Sequence, residues 1–232
     1  MEKKNYSLNL ILGNILTKSI FLLCILIPLF ASSQVRLDDS YYKVIAHGDK
    51  IDFGAIEKGV KWIVSSNDAQ VKSTYLSENE INNFIFAKPG IYQISFQDTR
   101  KHADHECNHP QFTERMTIKV SPIKMTFDFS KISFSEKISR GSNCDQIYVT
   151  VPVNVVMNDL KSAKFSVADV VVSGVGAEIV AKPVNAEVVL KNGTQFLKYQ
   201  LSGVAKNESY LMFDFVDFNG NIQTYYQPEI VN

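Results

Sequence analysis

The sequence predicts an all-β protein, two antiparallel β-sandwich domains in tandem behind a signal peptide. Three observations lead there. Apolar residues in the body of the chain alternate with polar ones at period two. Gly, Pro and Asn clusters interrupt these runs at roughly ten-residue spacing. No segment after the leader carries a convincing long helical pattern.

The N-terminus reads as a secretory signal. Lys3, Lys4 and Lys18 make a basic leader, and Ser19–Ala31 run without a charge. Ala31, Ser32 and Ser33 place small residues where a signal peptidase cuts, so residues 1–33 are expected to be removed. A retained anchor is the rival reading, but the run falls short of the roughly 20 apolar residues a spanning helix needs. Cys24 sits behind Leu22 and Leu23 rather than the small residue a lipidation box wants, and no twin arginine is present.

The mature chain would run from Gln34 to Asn232. Of 24 Lys+Arg and 24 Asp+Glu, the leader takes three lysines and Glu2, which leaves 21 against 23, a net charge of −2. That balance argues against nucleic acid as a partner, and no polybasic patch suggests a membrane surface. No membrane span is expected after cleavage. Export implies an oxidising compartment, the periplasm or the outer-membrane and cell surface.

The elements follow in order. Lys61–Val64 (KWIV) opens the strands of the first domain. In GIYQISFQ, Tyr92, Ile94 and Phe96 share one face and Gln93, Ser95 and Gln97 the other. TERMTIKV repeats this with Met116, Ile118 and Val120 and is expected to pair with GIYQISFQ. A fresh strand, IKMTFDF, follows Ser121-Pro122. QIYVTVPVNVV puts Ile147, Val149, Val151, Val153 and Val155 on one face, and YLMFDFVDF does so with Leu211, Phe213 and Phe215. NDLKSAKF reads as one helical turn at most. Turns are expected at Ala46–Asp49, Pro89-Gly90, Lys191–Gly193 and Asn219–Asn221. The domains are placed at 34–121 and 122–232, each long enough to bury a core, with a very short linker.

Two resemblances follow from these residues. KWIV followed by PGIYQISF (Pro89–Phe96) resembles immunoglobulin-like and PKD-like modules, with Trp62 as the core tryptophan and Gly90 and Tyr92 opening a later strand. Ile94 stands where antibody domains carry cysteine, so the inter-sheet disulfide is missing. FVDFNGNIQ (Phe215–Gln223) is similar to the hairpin of bacterial Ig-like surface modules, with Val216, Asp217, Gly220 and Asn221 matching. Asn219-Gly220 would supply the positive backbone angles of a tight hairpin. The overall style resembles exported proteins of the Bacteroidota. These resemblances imply two Ig-like domains and leave function open.

The densest chemistry is RKHADHECNHPQF, Arg100–Phe112. It holds three of the four histidines, His102, His105 and His109, together with Cys107. It would form the long hairpin loop, residues 98–111, between two paired strands, and loops of that length are often functional. Imidazole and thiolate suit zinc or copper, so His102, His105, Cys107 and His109 are candidate metal ligands. A solvated polar contact loop needing no cofactor is the plainer reading. Cys107 and Cys144 are the mature cysteines, an even count that suggests a bridge. In an extended tandem they would sit at opposite poles, far beyond the 4.4–6.8 Å Cα separation a bridge requires.

No catalytic arrangement stands out. G-x-S-x-G, P-loop and dinucleotide fingerprints are absent from the sequence. Asp38-Asp39 and Glu78/Glu80 are paired carboxylates of ordinary surface type, the latter expected on one strand face. Tyr41-Tyr42 and Tyr225-Tyr226 should each put one ring inward and one outward, where an exposed Tyr can stack on a sugar. The expectation is therefore a non-catalytic exported protein with a protein partner in the cell envelope, an adhesion module or an accessory subunit. A metal-binding protein using the His/Cys loop is the alternative, and a glycan-binding module the second.

Overall fold

The computed structural model describes residues 41–98 and 115–229. Residues 1–40, 99–114 and 230–232 lie outside that range, and with them the signal-peptide reading, Asp38-Asp39, His102, His105, Cys107 and His109. The architecture is all-β: fifteen strands and two short 3-10 turns among the described residues. Ser40–Asn232 form one compact unit. Within it lie two hydrophobic clusters, which part in sequence between Val120 and Ile123.

The first half contains β1 (Tyr41–Ala46), β2 (Val60–Ser66), β3 (Thr74–Ser77), β4 (Gly90–Asp98) and β5 (Arg115–Ser121). They form a single sheet in the order β1-β5-β4-β2-β3. The expected β4–β5 pairing is present, with Ile94 opposite Met116 and Tyr92 opposite Ile118. Trp62, Tyr92, Ile94, Met116, Ile118 and Val120 all face the core, as period two requires.

Two expectations are corrected here. The sheet is not purely antiparallel, because β1 runs parallel to β5 with Tyr41 opposite Met116. Nor does a second sheet cover the inner face among the described residues. Ile51, Ile56, Ile81 and Phe86, from the segments before β2 and before β4, complete the core. Those segments lack period two, so their backbone is satisfied by side chains instead. Asn82 Oδ1 accepts from Phe53 N–H at 2.8 Å, Asn79 Oδ1 from Ile56 N–H at 3.0 Å, and Glu78 Oε1 from Gly59 N–H at 3.2 Å.

The second half contains β6 (Ile123–Phe127), β7 (Ser133–Phe134), β8 (Tyr148–Met157), β9 (Ala163–Ser166), β10 (Val170–Ser173), β11 (Ala177–Pro183), β12 (Glu187–Leu190), β13 (Gly193–Ala205), β14 (Met212–Val216) and β15 (Ile222–Tyr226). Eight of them make a nearly closed, barrel-like sheet, β15-β14-β10-β11-β13-β8-β6, with β7 also on β8; β9 and β12 form a separate ribbon. NDLKSAKF is therefore no helical turn: its end, Ala163–Phe165, is strand, and Phe165 is buried. Ile147, Val149, Val151, Val153 and Val155 all point inward as expected. Phe215 ties the centre together, its ring 5.1 Å from Phe127 and 5.5 Å from Tyr199.

Pro152 stands in the middle of β8 without breaking it. Leu201 N–H donates to Ile147 O, so odd residues of β8 exchange bonds with β13. The missing N–H of Pro152 thus faces the other edge. There its partner is Asp128, whose N–H donates to Pro152 O at 2.8 Å; Pro152 has no N–H to return the bond, and β6 ends at Phe127.

The barrel closes through side chains. Gln223 on β15 accepts from Phe127 N–H and donates from Nε2 to Met125 O, both at 3.0 Å. Asn219 Nδ2 donates to Ile123 O at 2.9 Å. One amide thus does for the free edge of β6 what a paired strand would do.

The junction between the halves is clamped rather than loose. His47 N–H donates to Ser121 O within the first half and Asn158 N–H to Pro122 O within the second, so each half holds its own end of the linker. Lys124 Nζ meets Asp49 Oδ1 at 2.7 Å. With both side chains more than a third exposed, that pair adds under about 1 kcal/mol.

Candidate binding surfaces

His47, the remaining histidine, makes a junction contact, its Nε2 3.4 Å from Val156 O. Among the described residues no three His, Cys, Asp or Glu side chains gather in a metal-holding group. No described helix is long and apolar enough to cross a membrane.

Cys144 is a free thiol, buried at the far end of the second half from the junction. Its N–H donates to Gly203 O, and burial, then the Asp145 carboxylate, push its pKa up. A neutral, enclosed thiol is a poor nucleophile. Gly203, at φ +103, lets β13 run close against β11: a Cβ there would lie 1.9 Å from Glu178 O.

The paired carboxylates Glu78 and Glu80 do not share a strand face. They lie in a 3-10 turn, Glu78–Asn83. Glu80 Oε2 accepts from Ser77 N–H at 2.7 Å, while Glu78 O accepts from the Trp62 indole at 2.9 Å. Both are structural acceptors at a turn that Glu78 enters with φ +48.

The Val216–Asn221 hairpin is also structural, and differs from the expected two-residue turn. Only Gly220 has a positive φ there. Asp217, 7% exposed, organises a longer loop, its Oδ1 accepting from Asn219 N–H at 2.8 Å and Asn221 N–H at 2.9 Å. The loop in turn sets Asn219 and Gln223 against β6.

What remains as surface chemistry is exposed aromatic and aliphatic side chains on the strands. Tyr225 and Tyr226 split as expected, Tyr225 packing on Phe213 and Phe129 while Tyr226 is 69% exposed. Tyr41 and Tyr42 do not split; both are exposed on edge strand β1. On the outer face of the barrel sheet, Val180 stands opposite Val171, and Met212 opposite Tyr226. Asp214 lies opposite Val171 on the next strand and is held by Thr224 Oγ1 at 2.6 Å. Val171 is 60% exposed and Met212 38%.

This outer row is absent from the expectations above, although the sequence carries a signal for it. Val170–Val172 is an unbroken apolar run rather than an alternating one, the pattern of a strand covered on both faces. A second feature is a cleft bordered by Phe134, Tyr225 and Gln227. Its residues come from segments some ninety positions apart, and nothing local in the sequence joins them.

No family model, curated protein or solved structure matches this chain.

Proposed function

We propose that the chain is a non-catalytic exported protein of the cell envelope that works through protein–protein contact, as an adhesion module or an accessory subunit. Its contact surface is the outer face of β10, β11, β14 and β15. One observation carries the reading: two exposed cross-strand pairs, Val171–Val180 and Met212–Tyr226, lie diagonally to each other, with Asp214 and Ser173 between them, on one face of a sheet whose apolar needs are already met inside. A contiguous exposed apolar patch is costly in water and marks interaction sites. The partner face that fits is apolar, with one hydrogen-bond donor to meet Asp214. Two Ig-like modules belong to the same proposal, supported by Trp62 and Tyr92 in the first core and the Asp217 hairpin in the second.

The test is quantitative capture from a native envelope extract, using the wild-type chain, Val171→Lys/Met212→Lys and Thr117→Lys. Thr117 lies on the outer face of the first sheet. A partner held stoichiometrically by the wild type and Thr117→Lys but lost by the double variant supports the reading. Equal capture by all three contradicts it. Capture that needs added zinc or copper and vanishes in His105→Ala would move the contact to the 98–111 loop.

A further inference from the structure

A cleft of about 410 Å³ opens where β7 and the segment following β15 run side by side. That is the size of a small-ligand site. Phe134 and Tyr225 line it, their ring centroids 6.2 Å apart. Contacts to the Phe213 ring, at 5.5 and 6.2 Å, hold both in place from the core side. Gln227 is anchored by its own N–H, which donates to Leu211 O at 2.9 Å. Its side-chain Oε1 is buried yet has no hydrogen-bond partner. Such atoms are rare in native proteins and call for an explanation.

The remaining charges narrow the guest. Glu136 and Glu229 line the cleft, against one lysine, Lys137. Lys137 Nζ reaches Glu229 at 3.4 Å, with both side chains more than half exposed, so the pair is weak and readily exchanged. Burial, then the nearby Glu229 charge, raises the Tyr225 pKa and keeps its ring a neutral phenol. The cleft thus offers acceptors and aromatic faces, and is short of donors.

We propose that this cleft binds a cationic nitrogen group, an alkylammonium or guanidinium, seated against the Phe134 and Tyr225 rings. Gln227 Oε1, buried in the empty cleft, accepts one of its N–H groups once the amide turns outward, and Glu229 supplies the countercharge. Cations rest favourably on aromatic faces, and these groups are donors without acceptors, the complement of what lines the cleft. A neutral sugar can donate hydroxyls to the carboxylates but leaves their charge uncompensated. The group arrives either on a free small amine or on a basic side chain of a protein. The inference does not depend on the outer-face reading, since neither the residues nor the test are shared.

The test titrates the full exported chain with agmatine, with the capped tripeptide acetyl-Gly-Arg-Gly-amide and with methyl β-glucoside, by calorimetry and by the Gln227 side-chain amide resonances. Saturable binding of agmatine or of the peptide is expected, and which one binds tells the source. Gln227→Met keeps the shape and removes the acceptor; it should weaken binding at least about tenfold while the free protein melts no lower than wild type. Glu229→Gln, at a side chain 67% exposed, should weaken it as well. No saturation by either cation below about 10 mM, a preference for the glucoside, or unchanged affinity in both variants would overturn the proposal.

Discussion

The two halves treat their inner faces alike and their outer faces differently. Both sheets turn alternate apolar residues inward: Trp62, Ile94 and Ile118 in one, Val151, Leu201 and Phe213 in the other. Outside, the first sheet shows Lys61, Ser65, Gln93, Gln97, Arg115 and Thr117 across β2, β4 and β5, with exposed rings confined to its two edges, Tyr42 opposite Thr117 and Tyr75 opposite Ile63. The second shows Val171, Val180, Met212 and Tyr226. Inner faces answer to folding, and every sheet has one. An apolar outer face adds nothing to the core, so it points to use.

That contrast can be broken or sharpened by substitution. The largest losses should come from the inner faces, equally in both halves. Trp62→Ala removes the largest fully buried side chain of the first core, and about 3–5 kcal/mol of stability should go with it in a denaturant titration. In the second half Gly203→Ala forces a Cβ against Glu178 O; a cost of about 3 kcal/mol or more is expected, among the large values that only strain or core damage produces. A mild Gly203→Ala would mean that the β11–β13 register relaxes there.

Closure of the barrel is the next test. Gln223→Leu leaves Phe127 N–H and Met125 O without partners and should cost about 1–3 kcal/mol. Asn82→Ala should cost a similar amount in the first half, since it strips the acceptor from Phe53 N–H and the donor to Gly54 O.

Alkaline pH separates the halves without mutation. Burial raises the Tyr199 pKa strongly, so its phenol stays protonated in the folded chain after the unfolded one would ionise. A raised folded-state value means the full contribution is present below the ordinary tyrosine pKa of about 10 and fades as pH rises above it. Tyr92 in the first half is raised as well, by burial first, but not to the same extent. The lone tryptophan, Trp62, reports on the first half. Far-ultraviolet dichroism, dominated by the larger second sheet, should therefore fall at lower pH than Trp62 fluorescence changes.

The smallest stability effects belong to the outer faces. Thr117→Ala and Val171→Ala should each lie within about 0.5 kcal/mol of wild type. A larger loss at Val171 would mean that the exposed row supports the fold after all.

Much of this was legible from period two. The facing residues of β4, β5 and β8 follow from alternation alone, because successive strand side chains must point to opposite faces. Trp62 and Tyr92 follow from their settings in KWIV and PGIYQISF. Alternation does not say which strands pair. The parallel β1–β5 contact, the loop-borne core residues Ile51, Ile56, Ile81 and Phe86, and the closure of the barrel are long-range facts, decided by where leftover backbone groups find partners. Gln223 shows the limit well. In sequence it is one polar residue in a strand; in the fold it pairs with a backbone almost a hundred residues earlier. Gln227 and the cleft around it escaped for the same reason. His102, His105, Cys107 and His109 lie outside the described residues and keep the standing of an expectation.

The central claim is that the outer face of the second sheet, and not that of the first, is where a partner sits. Methyl resonances read it directly, because Val171, Val180 and Met212 label one outer face and Ile63 the other. On adding the captured partner, the account predicts broadening or shifts at Val171, Val180 and Met212, with Ile63 unchanged. Shifts at Ile63 with those three methyls undisturbed would contradict it.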